Sequence, residues 1–245
     1  MPECLYCRQT TRKFTSVEHV IPESLGNTDS AYNRAIVLPK GAVCDHCNNG
    51  ALSQLDQALI RFDAISWMKT SHGIPSKSGA LPSSTFNNAK LSMPAPGQLL
   101  FESNSKKTFR PDGKGNFKIN FRGSQRMTPG YARKLTRALF KMTMGCMYID
   151  NPQLAMSDRF DPVRRMVLGL DKFHGYLTLL KKATLPTAQE PICDLQYIPV
   201  ENSAGEQTIL TQFRYFGVEM GTDLEVRKLD RLSPVPDRLL AVVEF

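Results

Sequence analysis

The sequence predicts an α+β protein in two parts. A small metal-stapled strand-loop-strand-helix unit covers residues 1–70, and a mixed unit of helices and antiparallel sheet covers 71–245. Three observations predict this. Two Cys-x-x-Cys knuckles, Cys4/Cys7 and Cys44/Cys47, stand near the N-terminus. Four thiolates in two close pairs fill a tetrahedral zinc shell with no open position, so the ion they hold is a structural staple, and a segment tied at both ends needs no large core of its own. From Asn48 onward apolar residues recur at a helical period, and from His174 onward the apolar runs are short and strand-like.

After the first knuckle, Phe14, Thr15, Val17, Val20 and Ile21 form a β-favouring set that ends at Pro22. Residues 23–30 are rich in turn formers and read as a loop. Ala35-Ile36-Val37-Leu38 pairs back as a second strand before Pro39-Lys40-Gly41 leads into the second knuckle. Leu52, Leu55, Leu59, Phe62 and Ile65 then mark one amphipathic helix, free of proline until Pro75. Asn48 stands in its first turn, where it faces the strand end carrying Glu18 and His19.

Residues 71–125 hold many Ser, Pro, Gly, Asn and Lys and read as short strands at 99–102 and 117–121 joined by turns. A long helix follows, with Thr128 as N-cap and Pro129 at the first helical position. Leu135, Leu139, Met142 and Cys146 form its apolar side. Arg133, Lys134, Arg137 and Lys141 form a basic ridge on the opposite face, read either as a phosphate-contacting surface or as an ordinary solvated one. A helix over 162–168, capped by Asp161 and ended by Gly169, and strands at 176–180, 209–216 and 239–245 complete the chain.

The chain has 245 residues and a net charge of +8, concentrated in one segment. Residues 1–60 carry 5 Lys/Arg against 6 Asp/Glu, residues 61–150 carry 15 against 4, and residues 151–245 carry 11 against 13. A positive field gathered in the middle third attracts a polyanion, so a nucleic acid is the expected partner. No apolar run approaches the roughly 18 residues of a membrane span, and Met1-Pro2-Glu3-Cys4 does not open a secretory signal, so a cytoplasmic protein is expected. Thiols stay reduced there, so the six cysteines read as metal ligands and buried thiols; Cys146 and Cys193, in apolar surroundings, are the buried ones.

Cys4-x-x-Cys7, Val17-Glu18-His19-Val20-Ile21-Pro22-Glu23-Ser24-Leu25-Gly26-Asn27, Asn33 and Cys44-Asp45-His46-Cys47-Asn48-Asn49 together resemble a zinc-knuckle HNH nuclease domain. The likeness covers about the first 60 residues. It implies a ββα-metal fold in which a histidine ending the first strand activates water and a divalent ion sits on the scissile phosphate. Asn33 resembles the middle asparagine of that motif, which implies that its amide orients the loop or His19. Proteins of this kind are often bacterial or phage-encoded, which suggests a defence or restriction role by association only.

The residue types suit that chemistry independently. Phosphodiester hydrolysis needs a nucleophilic water, neutralisation of the phosphate and help for the leaving oxygen. A neutral imidazole is a suitable base near neutral pH, the role expected of His19. Glu18 and Asn48 are oxygen ligands suited to one Mg²⁺ or Mn²⁺ ion. The last motif position is Asn48 rather than histidine, and Leu52 stands four residues on, which disfavours tight transition-metal binding there. Asn49 could replace Asn48 if the helix register differs by one. Asp56, two turns beyond, reads as a surface acid or as support for the site. His46 reads as exposed or structural, because four cysteines already fill the zinc shell. Strand alternation alone would send Glu18 and His19 to opposite faces, so both reach one phosphate only if the strand end bends.

DNA is the preferred substrate, since no aromatic-glycine RNA platform is visible. The competing functions are a non-catalytic zinc-knuckle nucleic-acid adaptor and a ribonuclease on the same site. A single site cuts one strand, so double-strand breaks require a homodimer, a partner protein or two visits.

Overall fold

The computed structural model describes residues 2–29, 35–103, 108–111, 117–119, 127–181, 192–201, 207–224 and 239–244. The N-terminal strands are reduced to a short antiparallel contact. His19 bridges Val37, the Val20 N–H donates to the Ile36 carbonyl at 3.0 Å, and the Leu38 N–H donates to the Glu18 carbonyl at 2.9 Å. The fully buried Asn27 reinforces it: its amide nitrogen donates to the carbonyls of Ile21 and Ile36, and its Oδ1 accepts from the Ile36 N–H at 2.8 Å. Gly26, at φ 85°, closes the turn ahead of it in a conformation that glycine adopts freely.

The second knuckle opens helix α1 (Asp45–Cys47), which widens into a π-type turn over Asn48–Leu52 before α2 (Ser53–Ile60). The single helix expected through Ile65 is broken. Phe62 takes an extended backbone, φ −60° and ψ 125°, and α3 (Asp63–Ser71) starts anew with Asp63 in its first turn. There its carboxylate suits the positive end of the helix dipole. The Phe62 ring lies 6.3 Å from that of Tyr131, so the same residue continues the apolar stripe while ending the helix.

Strands β1 (Ser83–Thr85), β2 (Ala89–Ala95) and β3 (Gln98–Ser103) form an antiparallel sheet under α3. Trp67 of α3 meets Phe86 and Phe101 there, so it packs rather than standing free for base stacking. Strands β4 (Phe109–Pro111) and β5 (Phe117–Ile119) pair with each other. Helix α4 (Pro129–Asp150) begins as expected, with Thr128 Oγ1 accepting from the Tyr131 N–H at 3.2 Å. Two shorter helices, α5 (Pro152–Ala155) and α6 (Asp161–Leu168), follow, and Gly169 at φ 74° ends the latter. The chain finishes with β6 (Tyr176–Lys181), β7 (Cys193–Glu201), β8 (Gln207–Tyr215), β9 (Val218–Asp223) and β10 (Leu239–Glu244). All five join one antiparallel sheet in the order β10-β6-β9-β8-β7.

Helix α4 is the hub. One side covers the five-stranded sheet and the other meets α2 and the knuckle region, so buried residues run without a break from Cys4 to Leu224. Tyr6 donates from its hydroxyl to the Lys141 carbonyl at 2.8 Å, Tyr131 to the Ala58 carbonyl at 2.8 Å, and the buried Arg164 of α6 to the Leu5 carbonyl at 2.8 Å. Gly145 lets α4 approach the Val20 side chain: a Cβ there would stand 2.8 Å and 3.1 Å from its two methyls. Gly145→Ala is therefore expected to destabilise. Overpacking costs about 1–3 kcal/mol, more than the roughly 1 kcal/mol alanine gains as a helix former. A fall in the urea midpoint checks this. No helix among the described residues is long and apolar enough to cross a membrane.

Candidate active site

The sulfurs of Cys4, Cys7, Cys44 and Cys47 all lie within 4.8 Å of one another, positioned to hold a metal ion. Cys7 Sγ and Cys44 Sγ are 3.7 Å apart, close to the edge of about 3.8 Å of a tetrahedron with metal-sulfur bonds near 2.3 Å. Four thiolates and this spacing fit zinc. Asp45, between the second pair, ties the knuckle to the strand that leads to His19. Its two oxygens accept from the main-chain N–H and hydroxyl of both Thr15 and Ser16, at 2.6–2.8 Å. These bonds hold the Asp45 carboxyl well below the usual range, led by the one from the Thr15 hydroxyl.

Beside the knuckles, Ser16, Glu18, His19, Glu23, Asn48, Asn49, Asp56 and Lys77 line one cleft of about 580 Å³. Glu18 and His19 share it despite the alternation rule, because only a single bridge, not an extended ladder, holds the chain there. His19 is half-buried, with Nε2 3.9 Å from Glu23 Oε2, and that carboxylate also accepts an ion pair from Lys77 at 2.9 Å. Burial pushes the His19 pKa below 6.5 against the opposing pull of Glu23, so the neutral imidazole is favoured. Asn48 donates from Nδ2 to Ser16 Oγ and to the Val17 carbonyl, both at 3.1 Å. Its amide nitrogen being engaged in this way, Oδ1 is the atom that can serve a cation.

Glu18 is buried, 4% exposed, and faces an ammonium that the sequence did not suggest. Lys141 of α4 lies buried behind the cleft-lining residues, ion-pairs with Glu18, and lies 2.9 Å from Asp56 Oδ1. It also donates to the His19 carbonyl at 2.8 Å and to the Val20 carbonyl at 3.3 Å. Burial pushes the Glu18 and Asp56 carboxyls up, against the pull of Lys141. Burial would likewise lower Lys141, but Asp56 and Glu18 outweigh it and its pKa is raised. Glu18 Oε1 is taken by the Lys141 ammonium, so Oε2 is the oxygen that can serve a cation. A buried carboxylate beside an amide oxygen and an imidazole is a donor set that fits one divalent ion of the Mg²⁺ or Mn²⁺ kind.

The basic ridge of α4 is corrected by this geometry. Lys141 is fully buried and cannot touch a phosphate, because its partners lie inside the fold. Arg133 and Arg137 are half-buried and bond the carbonyls of Phe173 and Val167, the latter at the C-terminal end of α6. Lys134 is exposed. Lys134 and Arg137 nevertheless line a second cleft, of about 470 Å³, with Arg61 and Tyr131. That cleft meets the first across α2, since Ser53 and Gln57 line both. Arg61 is the basic residue that sequence reasoning missed there, hidden within a stripe read for its apolar members.

Asn33 lies outside the described residues, as do Lys106, Lys107, Lys114, Arg122 and Arg126 of the basic middle third. Among the described residues, the Asn27 amide bridges the main chains of Ile21 and Ile36. His46 is exposed. Asp56 is a partner of Lys141, not a free surface acid.

No curated protein and no solved structure matches this chain. Residues 4–63, which contain both knuckles, Glu18, His19, Asn48 and Asp56, match the family model of HNH endonucleases, and the N-terminal part of this protein is accordingly an HNH domain.

Proposed function

We propose that the protein is a metal-dependent endonuclease in which residues 1–70 cut DNA and residues 71–245 hold or select it. The observation that carries this reading is the convergence of a burial-neutralised imidazole, a buried carboxylate and an amide oxygen on one cleft beside a four-cysteine clamp. His19 takes the proton of the attacking water at its imidazole nitrogen. A Mg²⁺ or Mn²⁺ ion, held by Glu18 and Asn48, would neutralise the scissile phosphate and stabilise the departing oxygen. Asn33 would orient the loop or His19. Zinc in the four cysteines would fix the strand end through the Asp45 clamp.

The nucleic acid would run from the His19 cleft over α2 to Arg61, Lys134 and Arg137, with Arg133 beside them. Phosphate contacts of this kind position the polymer without reading its sequence. A cytoplasmic bacterial protein acting in defence or restriction, alone or as a dimer, accommodates this activity.

Nicking of supercoiled plasmid across Mg²⁺, Mn²⁺ and Zn²⁺ tests the proposal. Conversion to open circle is expected with Mg²⁺ or Mn²⁺. Salt-sensitive binding without cleavage in any metal would instead identify an adaptor, and cleavage of RNA alone a ribonuclease. The pH profile is a second test. Because burial depresses the His19 pKa, the base stays neutral and active below pH 6.5, and is lost only as pH falls through that lower value. An acid limb of kcat/KM centred above about 7 would contradict the assignment.

A further inference from the structure

Among the described residues, Lys141 is a fully buried basic side chain whose burial the catalytic chemistry leaves unexplained. It stands in the middle of α4, outside the segment that matches the HNH family, yet every polar group it touches belongs to that segment. We propose that Lys141 is a positioning residue of the active site: a built-in cation that holds Glu18, Asp56 and the main chain of His19, and limits the cleft to one divalent ion. The proposal deepens the nuclease reading and rests on it.

Charge carries the argument. Two carboxylates, Glu18 and Asp56, face one ammonium, so the cluster keeps a single formal negative charge. Without the lysine it would hold two negative charges in a largely buried place, where ions of like sign repel strongly. The lysine thus occupies the position that a second metal ion would otherwise take. Lys141 engages Glu18 Oε1, so what remains on this cleft-lining residue is the second carboxylate oxygen, Oε2, as the point where one further cation attaches.

Position carries the rest. Nζ binds the carbonyls of His19 and Val20 as well as the two carboxylates. One ammonium therefore fixes the base from behind and the expected metal ligand from the side. A movement of α4 would shift both together.

The test is Mn²⁺ binding to the full chain, with its zinc retained, followed by the electron paramagnetic resonance of free Mn²⁺. Circular dichroism confirms folding, and plasmid nicking is measured alongside. Wild type is expected to bind one Mn²⁺. Asp56→Asn, with one negative charge fewer, should bind at least tenfold more weakly. Lys141→Met, with one positive charge fewer, should bind at least tenfold more tightly while its kcat for nicking falls. The double variant Lys141→Met/Asp56→Asn should return to near wild-type Mn²⁺ affinity without recovering kcat, because the His19 carbonyl stays unheld. A purely structural lysine would leave Mn²⁺ affinity where it was.

If Lys141→Met does not fold, the other two variants still decide. Unchanged affinity in Asp56→Asn, or a double variant as weak as Asp56→Asn alone, overturns the proposal, the latter by making Asp56 a plain ligand. Absence of Mn²⁺ binding in every form overturns it too. Mn²⁺ binding that follows the charge series in a protein that never nicks DNA would refute the nuclease reading and leave the role of Lys141 standing.

Discussion

His19→Ala should lower plasmid nicking about 10²- to 10⁴-fold, the usual contribution of a positioned general base. Zinc content should not change, because the imidazole lies in the cleft and not among the sulfurs. Stability should change by less than about 1 kcal/mol, as for most substitutions away from the core. Among the described residues the half-buried side chain pairs with Glu23, at 3.9 Å, while the strand contacts run through the main chain and survive substitution. Zinc analysis and thermal melts separate loss of the base from loss of the fold. Undiminished nicking would reassign the base.

Cys44→Ser should act in the opposite order, costing structure first and activity in consequence. The hydroxyl of serine is a poor replacement for a thiolate, and three sulfurs hold zinc less tightly than four. Cys44 is fully buried at the junction of the second knuckle with α1, and Asp45 next to it carries the bonds to Thr15 and Ser16. Metal binding contributes directly to folding free energy in such units. Loss of about 5 kcal/mol would lower Tm by roughly 10–20 °C in a chain of this size. Retained zinc with an unchanged melting curve would contradict the staple. Together the two variants separate the clamp from the chemistry: zinc kept and rate lost in one, both lost in the other.

The residues that carry the candidate site were legible where chemistry is local in sequence. Knuckle spacing identified four cysteines that the structure brings together, and Thr128-Pro129 marked the start of α4 at the residue where it begins. Residues whose role depends on distant partners were not legible. Lys141 continues a four-residue spacing with Arg133 and Arg137, and such spacing records which face of the helix a residue occupies, not what covers it. Its partner Asp56 is 85 positions away and the carbonyl of His19 122. Phe62 fitted the stripe of a single helix because periodicity counts apolar side chains and is blind to one extended backbone angle. Asn27 was read as a loop former, and its buried bonds to Ile21 and Ile36 appear only once the strands meet. Strands β2, β7 and β9 escaped notice although β2 and β9 alternate buried with more exposed positions, because Pro94, Pro199 and Gly221 within them are residues that ordinarily interrupt a strand.

The salt link from α4 also bears on how freely this domain could be exchanged between proteins. A finger cut out at its own boundaries and grafted onto another scaffold would carry Glu18 and Asp56 with it and leave their counter-ion behind. The recipient would have to provide a buried ammonium at the same depth, or the transplant would arrive with its two acids repelling one another. Its portability therefore depends on what the host supplies, this ammonium included, and not on the completeness of the transplanted segment alone.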